Sequence, residues 1–489
     1  MSGAVQMIKR SLAAVLLLFI AVIAINTWRQ GSQQLQVAAL APLPLDLENV
    51  SQHLAGALRF RTISSATDAN LNAAEFAKLH VYLQRNYPHV HAALSREVIG
   101  KSSLLYKWQG SDPNARPLLL MAHQDVVPIA PGTEANWQHP PFDGVVDGDF
   151  IWGRGAWDDK GNLIAMFEAL ERLAADGFKP RQTIYLASGA DEESGGKRGA
   201  GAIAALLQQR GVKLAYVLDE GLIITEGVLK GLTKPLALIG IAEKGYATVL
   251  LSMQGPPGHS SMPPPTTLIG SMSAALVRVE AAPYPARVSG AARAMLGTLA
   301  PEMSGLNRVL LSNLWLTREL VAHELQKTPS ANAMLRTTTA LTIIHAGDKD
   351  NVLPGSVEAA VNFRLMPGDT ESGVLARMRS LIANDAIKLT PAAGNTPPSR
   401  IADAGSAEYQ TINRTVRELF PDTIVAPGLM IGATDARYFE ALADNVYRFS
   451  PVHALPEDLA RFHGTNERIS VKNFADLIRF YHRLLTHAG

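Results

Sequence analysis

Three short apolar runs in this chain each end in acids, and a histidine accompanies the first. Pro117–Ala122 leads into His123-Gln124-Asp125, Thr183–Ser188 is followed by Asp191-Glu192-Glu193, and Leu214–Leu218 runs into Asp219-Glu220. Runs this short and continuous read as buried strands. A helical pattern separates the first two: Gly161 opens it, Leu163, Ile164, Met166, Phe167, Leu170 and Leu173 form its apolar stripe, and Gly177 closes it. A second helical pattern, about residues 200–209, separates the second and third runs. The β-α-β-α-β order predicts a parallel sheet with helices over its faces. In such sheets the residues that follow the strands converge on one crevice. Acids gathered there repel one another and shift their pKa values upward unless something positive sits among them. A single acidic pair is usually a solvated loop, but three clusters placed identically point to a cation. With no cysteine in the chain, that cation must be held by His, Asp and Glu, and thiolate catalysis and disulfides are excluded.

A fourth cluster, Gly153-Arg154-Gly155-Ala156-Trp157-Asp158-Asp159-Lys160-Gly161, lies between the first strand and its helix. It stands in order with Met121-Ala-His-Gln-Asp-Val-Val-Pro128, Asp191-Glu-Glu193, Asp219, Gly258-His-Ser-Ser261, Asn351-Val-Leu-Pro354, Gly432-Ala-Thr-Asp435 and Phe462-His-Gly-Thr-Asn-Glu467. From about Leu45 to the C-terminus the series resembles the motifs of the M20 metallopeptidase family. Within it the chain is most similar to the carboxypeptidase S-like branch, which includes membrane-anchored and secreted enzymes and the N-fatty-acyl-amino-acid hydrolase/synthases. The resemblance implies two zinc ions, with cobalt or manganese acceptable to the same N/O donors. Asp158 would bridge them, His123 and Asp219 would complete one site, and Glu193 and His463 the other. Three carboxylates and a hydroxide would then neutralise two Zn²⁺, as burial demands.

Under the same resemblance, Glu192 is the acid left without a metal. It suits the general base that takes a proton from water and passes it to the leaving nitrogen. Asp125, two residues past His123, is placed to accept the free imidazole N–H and fix its tautomer. Asp159 is expected not to be a ligand, and the peptide between it and Asp158 is expected to be cis. His259 and Asn351 match residues that polarise the substrate carbonyl. Arg364 matches one that grips the substrate carboxylate through two parallel hydrogen bonds. Gly432 and Thr434 belong to a loop offering backbone N–H groups to that carboxylate, although Ala433 stands where glycine is common. Outside the series, His123 and His463 would be two of 13 ordinary histidines, Arg364 a surface strand residue and His259 a loop residue.

The elements that must position these groups follow from the whole chain. At about 100–200 residues per domain, 489 residues predict two to four domains. Hydrophobic residues at 47%, charged residues at 18% and a net charge of +1 describe an ordinary globular protein. No basic face or arginine-rich run suggests nucleic acid. Lys9 and Arg10 precede an apolar run from Leu12 to Ile25. The stretch Ser11–Trp28 just spans a bilayer core of about 30 Å. No small-x-small cleavage site follows closely, which favours an uncleaved anchor over a signal peptide. Charge ahead of the run places the body outside the cytoplasm.

The expected organisation is an anchor over 1–30, a polar then Ala/Pro-rich tether over 31–44, a catalytic domain over 45–241 and 393–489, and an inserted lid over 242–392. The fold class is α/β: a zinc-exopeptidase-type catalytic domain with a mostly parallel sheet, plus an inserted α+β lid or dimerisation domain. An Ala/Leu-rich stretch, about 281–325, looks helical and exceeds the lid of small family members. It would either replace the second copy of a homodimer or decorate the surface. The expected activity is hydrolysis of an amide bond next to a free carboxylate, in a small peptide or an N-acyl amino acid. Alternatives are an N-fatty-acyl-amino-acid hydrolase/synthase and a metal-free binding protein on the same fold. A serine hydrolase is disfavoured by the absence of Gly-x-Ser-x-Gly. His323-Glu324 has Lys327 where a His-Glu-x-x-His motif needs histidine.

Overall fold

Leu118–Met121 has every side chain buried and no polar one, as expected of a strand covered on both faces. In the computed structural model, which describes residues 2–229 and 231–489, it lies inside an eight-stranded sheet. The sheet order is Ser95–Ile99, Ser103–Trp108, Ile184–Ser188, Leu118–Met121, Leu214–Thr225, Ala443–Ala454, Leu236–Glu243 and Ile424–Met430. Leu118–Met121 runs parallel to both neighbours, and Leu214–Thr225 runs parallel to Ala443–Ala454. The Ser95–Ile99 side of the sheet is antiparallel.

Strand alternation divides the core. Leu118 and Leu120 pack with Leu163, Phe167 and Leu170 of helix Lys160–Ala175 and with Phe474, Ile478 and Tyr481 of helix Val471–Thr486. Leu119 and Met121 face the other way, onto Ala200, Ile203 and Leu207 of helix Ala200–Gln209. Phe167 sits at the centre of the first layer, its ring 5.1 Å from Tyr87 and 5.3 Å from Tyr106.

A second, antiparallel sheet comprises Thr338–His345, Ser356–Leu365, Gly245–Gln254 and Lys388–Pro391. Helices Leu268–Glu280 and Glu371–Ile382 close a separate core on it through Met272, Leu276, Val374 and Met378. The segment 242–392 is nevertheless not one unit. Helices Gly290–Leu299, Gly305–Ser312 and Leu314–Leu325 leave it and pack Met295, Leu299, Leu311 and Val321 on Leu236, Ile424 and Ala426 of the central sheet. Apolar burial, unavailable on the already covered lid face, draws them there.

Helix Ser2–Arg29 contains the expected apolar segment, Val5–Arg29, with mean hydropathy 2.4; of the stretch 1–30, Met1 lies outside the described residues. Residues 31–44 carry no regular structure, yet they are laid down on the body. The Gln34 amide accepts from Val425 N at 2.7 Å and donates to Val425 O at 3.0 Å, and Leu40 N donates to Glu418 O at 2.9 Å. The expected tether is thus held by unpaired backbone groups of the outermost strand and of helix Ala407–Leu419 before it.

Phe167→Ala is expected to leave a cavity at the base of the helix that follows the acidic loop. It should cost about 3–5 kcal/mol, read as a fall in the denaturant midpoint.

Candidate metal centre

The carboxyl ends of the three parallel strands meet as the sequence implies. Ala122 N bonds Ala187 O at 3.2 Å and Gln124 N bonds Gly189 O at 2.9 Å, so the turns after the first and second strands lie side by side. Asp125 ties them closer: its two carboxylate oxygens accept from Glu192 N and Glu193 N, each at 3.1 Å. Its relation to His123 is less direct than expected, because Nδ1 lies 2.9 Å from the Asp125 carbonyl oxygen and 3.3 Å from its carboxylate.

Asp158 is buried between two histidines. Its Oδ1 is 2.9 Å from His123 Nε2, and its Oδ2 is 2.6 Å from His463 Nε2. Donor atoms of His123, Asp158 and Glu220 lie within 4.8 Å of one another, and so do those of Asp158, Glu193 and His463. One carboxylate thus offers an oxygen to each of two triads. The peptide between Asp158 and Asp159 is cis, and Asp159 turns away: its Oδ2 accepts from His123 N at 3.2 Å and its Oδ1 from Asn162 Nδ2 at 2.5 Å.

The first triad differs from the expected set. Glu220, not Asp219, faces His123, with Oε1 at 3.6 Å from Nε2. Asp219 accepts from Glu220 N at 2.9 Å and from Ala436 N at 2.8 Å. The reason is strand length. The third strand does not stop at Leu218 but continues to Thr225, so adjacent residues project to opposite sides.

The electrostatics fit a cation. Burial pushes the Glu220 carboxyl up, aided by Asp158 and Asp159. Burial likewise raises Glu192, with Asp435 and Glu193 adding to it, and raises Glu193. Burial acts the same way on Asp158, but hydrogen bonds from His123 and His463 outweigh it and hold that carboxyl low. Glu193 Oε1 is buried with no hydrogen-bond partner, at 3.4 Å from His463 Nε2. An orphaned carboxylate oxygen beside two N/O triads is the donor chemistry of a divalent pair.

Glu467, which the sequence supplied without a role, builds the loop that carries Asp158. Its Oε1 accepts from Gly155 N at 3.0 Å, Trp157 N at 2.9 Å and Asp158 N at 3.2 Å. Its Oε2 pairs with Arg154 Nη1 at 2.6 Å, and Arg154 Nη2 donates to His463 O at 3.3 Å. Lys160, buried in the same motif, donates to Ala57 O at 3.1 Å and Phe60 O at 2.6 Å, which ties the loop to the end of helix Leu47–Leu58.

The residues expected to hold substrate lie apart from this cluster. His259 and Asn351 come together at an exposed two-stranded ladder, Gly258–His259 with Val352–Leu353, separate from the second sheet: His259 pairs across to Val352, and Ser260 N donates to Asn351 O at 3.2 Å. Arg364 stacks its guanidinium 4.8 Å above the Tyr246 ring. No hydrogen bond or ion pair joins the three to the carboxylates among the described residues. Gly432 is half-buried, and Thr434 points its hydroxyl at Glu243 Oε2, 2.9 Å away, which also binds the fully buried Arg448 Nε at 2.8 Å. That buried pair anchors the Gly432–Asp435 loop from below.

Comparisons agree with this geometry. The model of peptidase family M20/M25/M40 matches residues 119–487. The chain is 37% identical over 98% of its length to "Probable carboxypeptidase S-like 2" of Dictyostelium discoideum, covering 93% of that protein. It is 38% identical over 97% of its length to the mouse (Mus musculus) "N-fatty-acyl-amino acid synthase/hydrolase PM20D1", covering 95% of it. Its fold is similar to that of an M20 family metallo-carboxypeptidase from Sulfolobus solfataricus, with a TM-score of 0.65 and 17% identity over 90% of this chain and 99% of that one.

Glu467→Gln would strip Arg154 of its buried counter-charge. Breaking a buried pair this way is expected to cost about 3–5 kcal/mol of stability, measurable by denaturant unfolding, whereas an exposed pair such as Arg318–Glu319 is expected to cost under about 1 kcal/mol.

Proposed function

The chain belongs to peptidase family M20/M25/M40 and is a hydrolase, and on that premise we propose that it cleaves the amide bond beside a free carboxylate in small peptides or N-acyl amino acids. The observation that carries this reading is the Asp158 carboxylate shared between two donor triads. In it, His123, Asp158 and Glu220 hold one zinc ion, and Asp158, Glu193 and His463 the other. Asp219 keeps the backbone beside Glu220 in place. The bound pair supplies Lewis acidity toward a carbonyl oxygen and lowers the pKa of water.

Glu192 takes the proton of the attacking water and delivers it to the leaving nitrogen. Its carboxylate is free for this because only its backbone is engaged among the described residues, the N–H donating to Asp125 and the carbonyl accepting from Gly195 N. His259 and Asn351, at the two-stranded ladder, polarise the scissile carbonyl, and Arg364, on the second sheet, receives the substrate carboxylate; the segment that carries all three acts as a lid. Thr434 and Gly432 shape the floor under that carboxylate. The N-terminal helix anchors the chain, with Lys9 and Arg10 on the cytoplasmic side and the catalytic body beyond the membrane. An N-fatty-acyl amino acid is a second substrate reading, supported by the 38% identity to the mouse synthase/hydrolase along almost all of this chain.

Two adjacent glutamates separate base from ligand. Glu192→Gln should keep both metals while the rate falls about 10²–10⁴-fold. Glu193→Gln should lower zinc content, with partial rescue by excess zinc. Elemental analysis beside activity decides; the opposite pattern exchanges the two roles.

Amidating the substrate's C-terminus leaves Arg364 without its partner, a loss of about 2–5 kcal/mol for truncating a charged pair. Turnover of an amidated dipeptide is therefore expected to collapse relative to its free acid, and equal rates would remove Arg364 from the reading.

A further inference from the structure

Helix Ser2–Arg29 is not a free-standing rod joined to the body by a slack linker. Its last turns are bonded to the junction between helices Gly305–Ser312 and Leu314–Leu325. Asn313 Nδ2 donates to Thr27 Oγ1 at 3.1 Å and Asn26 Nδ2 donates to Asn313 Oδ1 at 3.4 Å. Gln30 Nε2 donates to Ser312 O at 3.3 Å, and Arg308 Nη2 to Gln30 O at 3.2 Å. The Gln34–Val425 and Leu40–Glu418 bonds continue the attachment along the body. Fixed at this many points, the body has one orientation relative to any membrane the helix crosses.

That orientation brings a particular face to the bilayer. Phe19, inside the apolar segment, meets Trp315 edge-on with ring centroids 6.1 Å apart. Nine residues of helix separate Phe19 from Trp28, a rise of about 13 Å, so Trp315 lies well below the outer end of the span. Around it the two helices expose Leu306 at 70%, Trp315 at 57%, Leu316 at 44% and Leu320 at 50%. A groove of about 540 Å³ runs between the span and Gly305–Ser312, lined by Ile20, Ile23, Ala24, Trp28 and Val309, with Thr27 and Arg308 the polar members of its wall. Apolar side chains in this number, continuous with a segment built for hydrocarbon, mark an interaction surface. An exposed ion pair, Arg318–Glu319 at 3.2 Å, stands on the same helix one turn beyond Trp315.

We propose that helices Gly305–Ser312 and Leu314–Leu325 form a monotopic seat: Leu306, Trp315, Leu316 and Leu320 insert into the outer leaflet beside the span, with lipid acyl chains filling the groove. The seat rests on the reading of Ser2–Arg29 as a membrane anchor. It gives the inserted helices a use other than replacing a second subunit, and it holds the catalytic body flat against the bilayer.

The chain contains no cysteine, so single labels can be placed without background. Full-length Leu306→Cys, Leu316→Cys, Leu320→Cys, Leu16→Cys and Val81→Cys, each carrying an environment-sensitive fluorophore, are reconstituted in phosphatidylcholine/phosphatidylglycerol nanodiscs with and without spin-labelled lipids. Loss of emission at Leu306, Leu316 and Leu320 as well as at Leu16, with Val81 unaffected, is the expected result. Quenching at Leu16 alone keeps the span and overturns the seat. Silence at Leu16 overturns the anchor, and the seat with it. Labels at Leu316 and Leu320 that are shielded from an aqueous quencher but not quenched by lipid identify a protein partner, such as a second copy, and also overturn the seat.

Discussion

A buried carboxylate needs a donor or a cation for each oxygen, and around Asp158 the acids divide by which of the two they have. Asp125, Asp159, Asp191, Asp219 and Glu467 all accept backbone N–H groups, from Glu192 and Glu193, His123, Arg198 and Gly199, Glu220 and Ala436, and the Gly155–Asp158 loop respectively. These are structural anions that shape the loops. Glu192, Glu193 and Glu220 have no backbone donor on their carboxylates, and Asp158 has only histidines. The acids without backbone partners, Asp435 with its unpartnered Oδ1 among them, are the ones that cluster around Asp158 and Glu192. Satisfaction by backbone therefore distinguishes scaffold from chemistry more sharply than position in a motif does.

That division also explains what the amino-acid order could and could not disclose. The three strand ends were legible because apolar runs of strand length are terminated by acids, and parallel topology sends such ends to one edge. The resemblance implies Asp219 for the first triad, whereas the carboxylate gathered with His123 and Asp158 is that of the next residue, Glu220, on a strand that continues past Leu218 to Thr225. Glu467 gave no sign of its task, since its partners Arg154 and Gly155 stand more than three hundred positions earlier in the chain. Gln34 was opaque for the same reason: a glutamine in a polar stretch reads as linker until the strand edge it pairs with is known. Local periodicity reveals elements, whereas long-range hydrogen bonds decide how loops are held.

Two cores give the molecule two rigid pieces. The central sheet owns the acids, and the Gly245–Gln254 sheet owns Arg364, with the ladder of His259 and Val352 in the same segment and its own buried layer of Met272, Val361, Phe363 and Met378. Cores that do not interpenetrate can shift relative to each other at modest cost. In the arrangement seen here the two sets of residues are not hydrogen-bonded to each other, which leaves the acids open to an entering substrate. A lid able to approach would bring a guanidinium and an imidazole toward a site rich in negative charge, and Coulomb attraction favours that closure.

The helices between Gly290 and Leu325 belong to the acid-bearing side of that motion. Because Met295, Leu299 and Leu311 pack on Leu236, Ile424 and Ala426, they are fixed to the sheet that carries the acids and not to the lid. The N-terminal apolar helix, bonded to Asn313, is fixed to the same body. A membrane contact made through these helices would therefore immobilise the catalytic half and leave the lid the moving half. An anchored hydrolase of this build would capture substrate by moving its carboxylate grip toward stationary metals.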